Sequence, residues 1–408
     1  AGLGPDDAGD VLVVIGTSLG PHADRPGPSL YDWVAEAARR LGSRREPVAL
    51  STACSSGSDA IAVAADLLTA GVAERCLVGA VDLLTPNKRR GHSRLRTMSR
   101  GEPRSFDRDR DGMLLGEAGG FLLLETAASA DARQAPCLGL LTGWGASNNA
   151  LGPTEPDASG TAAARAMRAA LDLAGREPAD VAVISTHGTG TVLNDAAESA
   201  GLALLWPPDA TGTGTGTGSA AGAAAGTGGG AGTGSADGSA SGSADGTGAD
   251  SAGRSASRSA AGGPSGPATG FASGFADGAG ADSAGRSASR SAAGGPSDPA
   301  TEFASGSADG AGVGPVAFAT KGALGHSLGA TGVVEAITVL LALRDRRVPP
   351  VPHLERVMDG FPLRLPVGRA LGIGDGCGLS QTLGFGGFNT CLLLEPAPAG
   401  RRGEGGGR

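Results

Sequence analysis

Two stretches of this chain can build a hydrophobic core, residues 11–206 and 314–397, and the long segment between them cannot. Residues 207–313 are almost wholly Gly, Ala, Ser, Thr, Asp and Pro. Such a segment buries too little apolar surface to offset the entropy of ordering it, so it reads as a disordered insertion. Within it, GADSAGRSASRSAAGGPSGPATGFASGFADGA begins at 248 and recurs at 280, the copies differing only at 266/298, 270/302 and 275/307. Two copies, 32 residues apart and without leucine-type core positions, cannot stack a solenoid interior; tandem duplication of a linker accounts for them better. Residues 398–408 read as a disordered tail.

Outside the insertion, short Val/Ile/Leu runs alternate with helical patterns. VLVVIGTSLG (11–20), CLVGAV (76–81), GFLLLE (120–125), VAVIST (181–186), VAFAT (316–320) and NTCLLLE (389–395) read as strands. SDAIAVAADLLTAG (58–71), GTAAARAMRAALDLAG (160–175) and GVVEAITVLLALRD (332–345) read as helices. Apolar strands between amphipathic helices predict an α/β core with strands buried on both faces.

Charge and cysteine usage narrow the function. With 33 basic and 41 acidic side chains the formal net charge is −8, and no long basic run occurs, so nucleic acid and anionic membrane are not expected partners. Five cysteines without a C-x-x-C spacing support neither a disulfide framework nor a zinc site, which points to a reducing, cytoplasmic setting. AGLGPDDAGD has no signal-peptide pattern, and no apolar run approaches a membrane span.

Three segments carry candidate chemistry. Cys54, in VALSTACSSGSDA, lies where a strand gives way to a helix; a helix N-terminus stabilises a thiolate, so a lowered thiol pKa is expected there. His187 follows a buried strand in STHGTGT (185–191). Lys321 and His326 lie in ATKGALGHSLGATGVVEA (319–336), ahead of a helix carrying Glu335. Taken singly, each has a structural reading: a buried small hydrophobe, a satisfied histidine, a glycine-rich loop. Asp107, Asp109 and Asp111 imitate the start of an EF-hand loop, but position 118, where the bidentate acid belongs, is Ala118. HGTGTVLND lacks the P-loop pattern. NKRRGHSRLR (87–96) reads as a solvated loop or a dock for an acidic carrier, and His92 within it matches no catalytic position.

Taken together, Cys54, HGTGT and K-G-A-L-G-H in this order resemble the β-ketoacyl-carrier-protein synthase family of the thiolase superfamily, closest to the elongating ketosynthases of type II fatty acid and polyketide systems. SFDRDRDGMLLGEAGGFLLLE (105–125) and LGFGGFNTCLLLE (383–395) extend the resemblance. It implies a thiolase-like, layered α-β-α-β-α fold with two related halves, split here as 1–206 and 314–397. It also implies decarboxylative Claisen condensation: an acyl chain on Cys54, a malonyl unit decarboxylated beside His187 and His326, and a β-ketoacyl product. By the same likeness Lys321 and Glu335 orient the histidines. The amides of Cys54 and Phe385 hold the oxyanion, and Phe385 gates the acyl pocket. No metal or organic cofactor is implied. The implied partners are acyl carrier protein bearing acyl and malonyl groups, and a second subunit in a homodimer or a heterodimer with a related chain.

The family usually carries far more chain before the segment matching VVIGTSLG, which predicts a truncated N-terminal half, and less chain than usual separates Gly20 from Val48. The insertion falls where relatives have a short connection, and loop entropy grows slowly enough for the core to tolerate it. Asn194 and Leu383 also depart from the usual residues. Two rival readings follow: an impaired, carrier-binding partner subunit, and a decarboxylase or acyltransferase using the same site.

Overall fold

The computed structural model describes residues 7–208 except 21, 26 and 28, then 269–272 and 314–398. The expected disorder of 207–313 and 398–408 falls almost entirely outside the described residues.

In chain order the first part holds β1 (Leu12–Gly16), α1 (Leu30–Arg40), β2 (Val48–Leu50), α2 (Ser56–Thr69), β3 (Arg75–Asp82), α3 (Pro86–Arg94), β4 (Ala118–Thr126) and α4 (Ala127–Ala132). It continues with β5 (Gly139–Asn148), α5 (Thr161–Ala174), β6 (Val181–Ser185) and α6 (Val192–Leu205). After β7 (Thr269–Ala272) come β8 (Val316–Phe318), α7 (Lys321–Leu324), α8 (Thr331–Asp345), β9 (Arg347–Val348), β10 (Leu371–Gly372), β11 (Cys377–Gly384) and β12 (Phe388–Pro396).

The strands repeat one pattern twice. Along β2-β1-β3-β4 the pairings run parallel, parallel, antiparallel. Along β8-β6-β11-β12 they run parallel, parallel, antiparallel again. β5 then pairs antiparallel with β12, and β7 holds the same place beside β4. Four residues of the expected insertion are therefore strand. β7 also pairs with β5, which joins both halves into one run of ten strands. β9 and β10 form a separate ribbon.

Helices complete the layering. α1 covers β1 and β2 on one outer face, its start fixed by a capping box between Ser29 and Asp32. α5 and α6 cover the second half on the opposite face, packing Met167, Leu171, Leu202 and Trp206 against β6, β11 and β12. Between the sheets lie α2 and α8, each touching strands of both halves. The expected α-β-α-β-α order is thereby met. The main core surrounds this middle layer, with Ala60, Ile61, Ala64 and Leu68 of α2 against Val333, Ala336 and Val339 of α8.

The two middle helices start almost in contact. A Cβ at Gly57 would stand 2.8 Å from the Gly329 carbonyl oxygen, and one at Gly332 only 2.1 Å from Ser58 Oγ. Only glycine permits that approach. It matters because Cys54 precedes α2 and His326 precedes α8. No described helix is long and apolar enough to cross a membrane.

Candidate active site

The chain leaves β2 through a sharp turn. Ala53 sits at φ +53°, and a tight 3-10 turn over Ala53–Ser55 leads into α2. Asp59, in the first turn of α2, accepts hydrogen bonds from Thr52 Oγ1 (2.5 Å), Ser55 Oγ (2.7 Å) and, from β12, Thr390 Oγ1 (2.5 Å). This clamp holds the turn and leaves Cys54 only 5% exposed.

Across from it, the residues after β11 approach as a 3-10 turn, Phe385–Gly387. Gly384 comes so close that a Cβ there would lie 3.4 Å from the Cys54 nitrogen. The Phe385 amide acts on the Cys54 thiol, favouring its ionised form. Burial nevertheless pushes this thiol up to about 11, against the opposing pull of the Phe385 amide and the Lys321 charge. The pKa lowering expected at a helix start is not met: desolvation of the buried thiol outweighs the Phe385 amide and the Lys321 charge.

His187 follows β6, where Thr186 bonds the Phe318 carbonyl of β8 through both its N–H (2.9 Å) and its hydroxyl (2.8 Å). Glu198 of α6 then takes the His187 N–H at 2.6 Å and the Gly188 N–H at 2.8 Å. One turn away Asp195 accepts from Gly190 N at 3.1 Å and Phe106 N at 2.7 Å. Burial raises both acids, Asp195 to about 6 and Glu198 to about 8. Neither acid was read from the sequence. The available signal was a pair of acids three apart on an otherwise Ala- and Leu-rich helix.

His326 is held by the segment after the aspartates: its N–H donates to Leu114 O at 2.7 Å, and its own carbonyl accepts from Gly116 N at 2.9 Å. Asp82, ending β3, accepts from Gly329 N (2.7 Å), Ser18 N (2.8 Å) and the buried Lys88 ammonium (2.6 Å), pinning the turn that follows. His326 Nδ1 accepts from Leu328 N–H at 3.2 Å, so a neutral ring carries its proton at Nε2. The two catalytic candidates face each other edge-on, His187 and His326 centroids 5.2 Å apart. Burial first, then the Lys321 charge, lowers both histidines well below their usual value, which keeps the rings neutral.

Lys321 and Glu335 form a buried pair at 2.5 Å, with Glu335 raised by burial to about 7. Lys321 acts on the histidines through its charge; its hydrogen bond goes to Glu335.

Cys54, His187, His326 and Phe385 line one cavity of about 120 Å³, shared with Met113, Leu193, Asn194, Leu383 and, from α3, His92. The basic run around His92 is a helix, with Lys88 buried and Arg89, Arg90 and Arg94 outward. The aspartates of the EF-hand-like run diverge: Asp107 binds the Glu355 and Arg356 amides, and Asp111 binds Ser99. All five cysteines are buried.

Comparison with known proteins agrees with this layout. Residues 34–130 match the family model for the β-ketoacyl synthase N-terminal domain, and 138–235 with 307–355 match that for its C-terminal domain. A 3-oxoacyl-[acyl-carrier-protein] synthase homolog of Saccharomyces cerevisiae is 36% identical over 156 residues, which is 38% of this chain and 35% of that one. The 3-oxoacyl-[acyl-carrier-protein] synthase 2 of Mycobacterium leprae is 25% identical over 351 residues, covering 84% of this chain and 59% of its own length. The chain thus spans less than two thirds of these relatives.

Among solved structures, the ishigamide ketosynthase/chain length factor superposes with TM-score 0.67 at 24% identity, covering 98% of this chain and 78% of the other. A β-ketoacyl synthase from Burkholderia phymatum gives 0.65 at 20% identity, with 98% and 78% covered. A ketosynthase in complex with its type II acyl-carrier protein gives 0.65 at 18% identity, with 98% and 81% covered. These likenesses bear on fold, which is that of the thiolase-like ketosynthases. With the N-terminal domain model matched ahead of the insertion, the C-terminal one matched on both sides of it, and their nucleophile and histidine segments meeting in one cavity, the chain belongs to the β-ketoacyl synthase family.

Proposed function

We propose that this chain condenses an acyl thioester with a malonyl-type thioester by decarboxylative Claisen chemistry, both delivered on acyl carrier protein. The observation that carries the reading is the convergence of Cys54, His187, His326 and Phe385 on one cavity.

Cys54 gives up its proton and attacks the acyl thioester carbonyl, expelling the carrier thiol. The N–H groups of Cys54 and Phe385 stabilise the tetrahedral oxyanion. When the malonyl thioester follows, neutral His326 donates Nε2–H to its carbonyl oxygen, and His187 supplies the second donor. Loss of carbon dioxide leaves an enolate, which attacks the acyl-Cys54 carbonyl and releases the β-ketoacyl product; the Cys54 thiolate set free then takes a proton from water to return to the resting thiol. The Lys321–Glu335 pair keeps positive charge near the histidines, so they stay neutral and able to donate. Phe385, on its glycine-flanked turn, gates the acyl pocket.

The outward Arg89, Arg90 and Arg94 of α3 suit an acidic carrier, and a related ketosynthase was solved with its own carrier protein. The active assembly is a dimer, of like chains or with a related subunit, working in the cytoplasm. The impaired-partner reading is disfavoured by the retention of every side chain the chemistry requires. Supplying acyl- and malonyl-carrier protein together and measuring product tests the proposal: a β-ketoacyl-carrier product supports it, and carbon dioxide release without that product contradicts it.

A further inference from the structure

His92 matches no motif, yet its ring lies in the cavity with Cys54, His187 and His326. It stacks on Phe385, centroids 5.6 Å apart and planes 19° apart, and the Phe385 amide is the one that acts on the Cys54 thiol. His92 therefore stands beside the acyl chain close to its thioester end.

Thr97 decides which ring nitrogen carries the proton. Its Oγ1 lies 3.2 Å from the His92 carbonyl oxygen and 3.2 Å from His92 Nδ1. A hydroxyl has one proton. Both contacts are met together only if the hydroxyl donates to the carbonyl and Nδ1–H donates to the hydroxyl. Burial keeps the ring neutral, so Nε2 bears an open lone pair, and no described residue bonds it.

Three of the other polar side chains around the cavity are engaged locally. Asn149 binds Leu151 N and Glu155 O, and Asp157 binds Ser159 and Ala162. Asn389 binds Gly387 O. Met113, Leu193 and Leu383 offer only apolar surface. An acceptor left open among such neighbours selects for a ligand carrying a donor.

We propose that His92 sets acyl-chain specificity, its Nε2 accepting a hydrogen bond from a hydroxyl on carbon 3 or 5 of the chain held at Cys54. The pocket then favours a hydroxylated chain over a saturated chain of equal length. This rests on the condensing activity proposed above.

The test loads the full chain with decanoyl, 3-hydroxydecanoyl and 5-hydroxydecanoyl pantetheine and follows adduct formation at Cys54 by intact mass. At least one hydroxylated thioester should load about tenfold faster than decanoyl, the ratio one uncharged hydrogen bond sets. His92→Phe, which retains a ring on Phe385 but no lone pair, should bring that ratio to about one. Thr97→Val, which frees Nδ1 and the tautomer, should lower it as well and serves if His92→Phe does not fold. A wild-type ratio of one or less, or a ratio unchanged in these variants, overturns the proposal alone. Failure of all three thioesters to load overturns the condensing reading and this proposal with it.

Discussion

The rings of His187 and His326 stand edge-on, 85° between their planes, with the His326 proton placed on Nε2 by the Leu328 amide. Two neutral donors on one carbonyl suit enolate formation and are not needed for thioester exchange at the thiol. Replacing His326 with Ala should therefore cut malonyl decarboxylation by about 100- to 1000-fold, the cost of one oxyanion donor. Acylation of Cys54 should fall far less. Parallel assays of carbon dioxide release and acyl adduct check this; equal losses in both would mean that His326 serves the thiol instead.

The Cys54 thiol, at about 11, is protonated at neutral pH. Alkylation by iodoacetamide should then rise about tenfold per pH unit between pH 7 and 9, because only the thiolate reacts. Peptide mapping of the labelled site gives the profile. A plateau already reached at pH 7 would show a depressed pKa and a thiolate at rest.

Lys321 and Glu335 are 1% and 0% exposed, so neither can turn to water when its partner is lost. Lys321→Met should destabilise the fold by about 3–5 kcal/mol by leaving a buried carboxyl unpaired. Lys321→Met with Glu335→Leu should recover much of that loss. Urea denaturation of wild type, both single variants and the double variant measures the coupling, and additive losses would contradict it.

Three buried acids also set a pH dependence. Asp195, Glu335 and Glu198 are raised to about 6, 7 and 8. A raised carboxyl favours the folded state while protonated, so this contribution is complete below the unfolded value and is lost as pH rises to the folded one. His187, His326 and His92 are lowered, and their opposite contribution is finished above about 6.5, the unfolded histidine value. Stability should therefore fall between pH 6.5 and 8, by about 2 kcal/mol, as the remaining acids ionise. Glu198→Gln should flatten the decline. Urea midpoints across that window test it, and a flat wild-type curve would refute it.

Much of the scaffold was legible because apolar runs mark strands buried on both faces: β1, β3, β4, β6, β8 and β12 all lie where Val, Ile and Leu cluster. β11 escaped because CGLSQTLG buries Ser380, Gln381 and Thr382 in place of aliphatics. β7 escaped because TGFA sits in sequence with no core-forming pattern. The candidate catalytic residues were legible through their motifs. Glu198, Asp195, Asp82 and Asp59 were not, since a carboxylate gripping backbone amides, or hydroxyls as Asp59 does, leaves no periodic trace. The raised thiol pKa was not legible, because the depth of burial that causes it leaves no mark in the local sequence.

The central claim is that Cys54 carries the acyl chain. Intact-mass analysis after incubation with acyl-carrier protein, followed by peptide mapping, tests it most directly. The account predicts one acyl adduct, located on Cys54, absent from Cys54→Ala, and discharged when malonyl-carrier protein is added. A folded protein that acquires no adduct, or acquires it on another residue, would contradict the account.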